Sequence, residues 1–236
     1  MTNRMAGAIA SGVVCGVVLL SAGGIGWGQG AKAVYPAMAP IEQYRVASVA
    51  DEVALARSAA SAAVSGDAEV MVLGSHGYET AAKGTNGFVC LVERSWATNF
   101  DDPQFWNPKL RAPHCFNAAA ARSVMPAYLK RTELVLSGLP KDQVEAHLKE
   151  AVATKVIGAP EQGAMCYMMS KQGYLNDSVG HWHPHVMFFL PTTDAASWGA
   201  NLDGSQVFAA QERPEQVTIF MVPVMTWSDG TVDEMK

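Results

Sequence analysis

The stretch that most constrains this 236-residue chain is GFVCLVE, residues 87–93. Residues 88–92 are apolar on both alternating faces, and such a strand belongs at the centre of a sheet, buried on both sides. Other β-type runs lie at residues 68–74, 164–170, 185–190, 206–209 and 217–224. Residues 77–96, GYETAAKGTNGFVCLVERSW, read as a hairpin that turns at residues 84–87. Pro223 lacks an N–H, which predicts that the last run ends at a sheet edge or bulge.

Helical patterns lie between these runs. Ser48 and Asp51 form a capping box, and Val49, Val53, Ala56, Ala60 and Val64 then recur at helical spacing until Gly66. A second helix is expected from near Pro126 to Gly138, and a third from near Pro140 to about Lys155. Residues 98–117, TNFDDPQFWNPKLRAPHCFN, read as a long irregular connection. Strands at both ends with helices grouped between them predict an α+β fold. Its sheet is mostly antiparallel, built from N-terminal and C-terminal strands, with two or three helices packed on it.

The first residues carry Arg4, then an acid-free apolar run over residues 6–20, then the small-x-small tripeptide AKA at residues 31–33. That pattern predicts a cleaved signal peptide over residues 1–33 and a single globular domain over residues 34–236. The apolar run is shorter than the ~20 residues of a spanning helix. The expectation is therefore an exported protein, periplasmic or extracellular, with no stable membrane insertion after cleavage. Cleavage removes Arg4 and Lys32 and no acid, so the formal charge goes from −5 to −7. An acidic surface argues against nucleic acid or an anionic membrane as a partner. Cys90, Cys115 and Cys166 remain, which in an oxidising compartment gives one disulfide and one free thiol. Cys115, in a loop-like stretch, is the favoured participant.

Catalytic signatures are missing: the chain holds no H-E-x-x-H, G-x-S-x-G, S-x-x-K, Walker loop or C-x-x-C. What stands out instead is GHWHPHVMFFL, residues 180–190. In extended backbone, residues two apart point the same way and lie ~6.5–7 Å apart, so imidazoles at that spacing can converge on one ion at ~2.0–2.1 Å. Pro184 divides the stretch into a strand, residues 185–190, and an extended entry segment, residues 180–184, at the mouth of the sheet. The expected site is a divalent metal, zinc first and copper second, with His181, His183, His185 and His76 as ligands. Glu93 or Glu79 would act as base or further ligand, with His114 in reserve. Glu93 shares a strand face with Val89 and Leu91 and therefore needs a partner, for which Arg94, Arg111 and Lys171 are the ordinary candidates. Trp182, Tyr174, Trp198 and Trp106 are expected to rim a ligand pocket. Two other readings compete: a non-catalytic periplasmic module that binds a small molecule, and a structural envelope protein whose histidines are merely packed.

Overall fold

Eight strands make one sheet: Glu69–Leu73 (β1), Tyr78–Ala82 (β2), Val89–Glu93 (β3), Ala112–Phe116 (β4), Met165–Met168 (β5), His185–Pro191 (β6), Phe208–Glu212 (β7) and Val217–Pro223 (β8). Their order is β2-β1-β3-β4-β5-β6-β8-β7. Neighbours run antiparallel except β1 and β3, which are parallel. Five α-helices accompany them among the described residues: Val49–Arg57 (α1), Ala62–Ser65 (α2), Ala118–Ser123 (α3), Met125–Leu136 (α4) and Lys141–Ala153 (α5). The fold is α+β, as the order of elements predicts, with more helices than the two or three expected. This computed structural model describes residues 35–177 and 179–234. The expected signal peptide at residues 1–33 lies outside them.

Several local readings change. The hairpin is β1–β2, closed by the Gly74 N–H donating to Gly77 O at 2.8 Å. After β2 the chain crosses back, and β3 lies parallel to β1. Gly84 permits that crossing, since a Cβ there would sit 2.0 Å from Glu69 N. The irregular connection contains β4, all five residues of which are buried. Pro113 and the polar His114 disguise it, yet Pro113 falls outside the two residues, Cys115 and Phe116, that pair with β5. The single helix expected up to Gly66 is two, α1 and α2. It unwinds after Arg57 because the Ala59 carbonyl accepts from Met169 N–H at 2.8 Å, just beyond β5. Pro223 lies on an interior strand, but β7 stops pairing at Met221, so only His185 of β6 faces it.

Cross-strand registers sort the side chains into two faces. Leu91, Glu93, His114, Phe116, Cys166, Met168, Met187, Phe189, Ile219 and Glu212 share one. Val124 and Met125 at the α3–α4 junction and Tyr128 of α4 pack on that face. Val70, Cys90, Val92 and Cys115 share the other, which α1 covers through Ala56. Cys90 and Cys115 are direct register partners and form the disulfide, leaving Cys166 buried and free.

The sheet is strongly coiled. Five strand spacings separate β3 from β7, roughly 24 Å in a flat sheet. Arg131 of α4 nevertheless reaches both sides. Its guanidinium donates to the carbonyls of Trp96, Ala97 and Thr98, just after β3, at 3.1, 2.9 and 2.8 Å. It also meets Glu212 at the end of β7 (3.5 Å) and Glu215 in the following turn (2.5 Å). A buried arginine thus fastens the two flanks of a curled sheet.

Candidate functional site

The coiling leaves a cleft of about 260 Å3 on the concave face. Its walls are apolar: Leu110, Met168, Leu175, Trp182, Met187, Ile219 and Met221. Seven polar side chains interrupt them: Glu93, Arg94, Thr98, His114, Tyr128, His185 and Glu212.

Glu93 and His114 are neighbours by register. Glu93 pairs with Ala112 and Leu91 with His114, so the two side chains stand diagonally on one face of β3 and β4. Each is 4% exposed. His114 Nδ1 lies 3.1 Å from Glu93 Oε2, a close contact that is not aligned as a hydrogen bond. Among the described residues, Glu93 Oε1 and His114 Nε2 have no partner. The expected arginine and lysine partners are engaged elsewhere. Arg94 binds Glu52 at 2.7 Å, Lys171 lies 3.2 Å from Asp229, and Arg111 donates to backbone carbonyls.

His185, the first residue of β6, donates from Nδ1 to His183 O at 2.7 Å, which leaves Nε2 with the lone pair. Burial holds its pKa down to about 4, so the ring is neutral near pH 7. Trp182 stands edge-on to it at 6.4 Å and donates from Nε1 to Met168 O at 3.2 Å. Gly173 admits that indole, since a Cβ there would lie 2.5 Å from Trp182 Cζ2. Across the cleft, burial lifts the Glu212 carboxyl to about 7 against the pull of Arg131, with Glu215 and Glu93 adding to the rise. Burial also holds the Tyr128 phenol well above its ordinary value.

Of the residues singled out in the sequence, the cleft gathers Glu93, His185 and Trp182, together with His114. It does not gather the rest. His181 packs its ring on Trp227 at 5.4 Å, and its Nδ1 meets Trp182 O. His183 is exposed, with Nδ1 2.5 Å from Asp233 Oδ2. His76 is exposed in the β1–β2 turn. Four strand spacings lie between β1 and β6, roughly 19 Å along the sheet. Glu79 is exposed on β2, its carboxylate lying over Gly74. Tyr174 donates to Asp177, a hub that also accepts from Tyr35 at 2.6 Å and Lys109 at 2.8 Å. Those three partners hold the Asp177 carboxyl well below its usual range. Trp106 packs edge-on to Phe105 in a separate cluster, and Trp198 lies exposed against Phe220 on the opposite face of the sheet. Among the described residues, no three His, Cys, Asp or Glu side chains are grouped as a metal ion requires.

Tyr128, Arg131 and Glu212 were not legible as site residues. In sequence Arg131 looks like part of a solvated Lys130–Arg131 pair, and Glu212 like turn chemistry in QERPEQ. The one available signal was an arginine at an otherwise apolar helical position, three residues from Tyr128 and four from Val135. Comparison with protein-family models, curated proteins and solved structures gives no match to this chain.

Proposed function

We propose that this chain is an exported, non-catalytic binding protein that takes a small, largely apolar molecule into the cleft of the coiled sheet. One observation carries this reading. Two buried polar atoms, Glu93 Oε1 and His114 Nε2, lack partners and line an apolar-walled hollow. A buried polar atom without a partner costs about 1–3 kcal/mol. A ligand that presents an apolar body to the walls and a polar group to this pair removes that penalty. The hollow, at about 260 Å3, is close to the lower bound of roughly 300 Å3 for small-molecule sites. Export is supported by the Cys90–Cys115 disulfide, a bond that persists in oxidising compartments. Intact mass of the exported protein, expected to start at Val34, tests that half of the reading.

The cleft is tested with the uncharged probe N-phenyl-1-naphthylamine in EDTA. Bound probe should brighten and quench Trp182, and Ala210→Trp, which fills the cleft, should remove the response. An unchanged response in that variant sinks the cleft as the binding site. A response lost in EDTA and restored by zinc returns the site to the metal reading.

A further inference from the structure

Resting on that binding reading, we infer that the ligand carries a protonated amine, an alkyl- or arylalkylammonium group seated between Glu93 and Glu212. The charges in and next to the cleft favour it. Glu93 of β3, His114 of β4, the His185 ring of β6 and Glu212 of β7 line the cleft, and Arg131 of α4, paired with both Glu212 and Glu215 of the turn after β7, lies outside that lining. Arg94 also borders the cleft but is spent on Glu52 and on the carbonyls of Tyr44 and Val92. Leaving the Glu93–His114 contact aside, the single Arg131 cation faces two carboxylates, Glu212 and Glu215. With Glu212 ionised, one buried negative charge would lack a counterion, a costly arrangement in a low-dielectric site that either a proton on Glu212 or a bound cation relieves.

An anionic ligand would worsen that deficit, and Arg131 is already committed to three carbonyls and two carboxylates. A neutral ligand would leave Glu212 to relieve the deficit by keeping its proton. An ammonium supplies the missing charge and three donors, which suits the two carboxylates and leaves its apolar body to the walls. Trp182 and Tyr128 present aromatic surfaces that favour a cation. Without a cation, Glu212 holds a proton up to about pH 7. An ammonium drives that proton off.

The test compares 2-phenylethylamine, 2-phenylethanol and phenylacetate, and the matching hexyl series, by calorimetry and thermal shift in EDTA at about pH 8. The amine should bind about tenfold or more tighter than the alcohol, the size of one charge-assisted hydrogen bond. The carboxylate should be weakest. Glu93→Gln and Glu212→Gln should each collapse the amine-to-alcohol ratio. Near pH 7, calorimetry in buffers of different ionisation enthalpy should show proton release with amine in the wild-type chain and none in Glu212→Gln. That readout stands even where Glu93→Gln folds poorly. Binding without amine preference, or a preference that survives both substitutions, overturns this inference while sparing the binding reading. Failure of every compound sinks both. Zinc that binds stoichiometrically in EDTA-free buffer and is lost in Glu93→Gln makes the cation a metal and also overturns it.

Discussion

Two titratable residues of the cleft pull stability in opposite directions. Glu212 has its carboxyl raised from 4.5 to about 7, so the folded chain keeps a proton that the unfolded chain releases. Its contribution is full below pH 4.5 and is lost as pH rises through about 7. His185 is depressed from 6.5 to about 4, so its contribution is full above 6.5 and is lost as pH falls towards 4. Melting temperatures of Glu212→Gln should fall less than wild type between about pH 5 and pH 8, and those of His185→Asn less between about pH 6.5 and pH 4.5. A steeper slope in either variant contradicts the assignment. The Glu93–His114 pair makes a different prediction. Replacing it by Glu93→Met with His114→Leu removes the unpartnered atoms, and urea unfolding should show a gain of about 1–3 kcal/mol with ligand binding abolished. Glu93 was readable in the sequence as a carboxylate at the end of a buried strand. Its partner was not, because His114 becomes adjacent only through the β3–β4 register.

At the scale of elements, the disulfide joins two register partners in the middle of the sheet, with a sequence separation of 25. Chain entropy over such a loop is worth about 3–4 kcal/mol. Cys90→Ala with Cys115→Ala should lower the melting temperature by several degrees, at about 2–4 °C per kcal/mol for a chain of this size. A midpoint unmoved by reduction or by these substitutions would show that the bond contributes nothing to stability. Helices α4 and α5 and strands β1, β3, β5, β6 and β8 announce themselves through apolar periodicity and proline at helix starts. Strand β4 does not. APHCF is buried all along its length, so it lacks the alternation that marks a half-buried strand, and its proline and histidine imitate a loop. Pro184 was informative because its constraint is local. It separates His181 and His183 from the strand that carries His185 into the cleft, and so scatters a set that looks convergent on paper.

For the whole molecule, closure rests on a side chain rather than on backbone pairing. Edge strands β2 and β7 are not paired to each other, and Arg131 ties the residues after β3 to the end of β7. Arg131→Met strands two buried carboxylates and frees three carbonyls, so it should cost about 3–5 kcal/mol. Hydrogen exchange should quicken first at residues 96–98 and along β7. Wild-type exchange there would mean that packing alone holds the coil. None of this was visible in the sequence, since coiling depends on how far strands drift over five neighbours and no local pattern records it. The position of the disulfide adds a matter of timing. Cys90 and Cys115 alternate with Leu91 and His114 along the strands that carry the Glu93–His114 pair. In an exported chain those thiols stay reduced until the compartment turns oxidising. Under the proposed export, the strand pair beneath the cleft would be locked only after the chain reaches an oxidising compartment, and the proposed binding would follow that step.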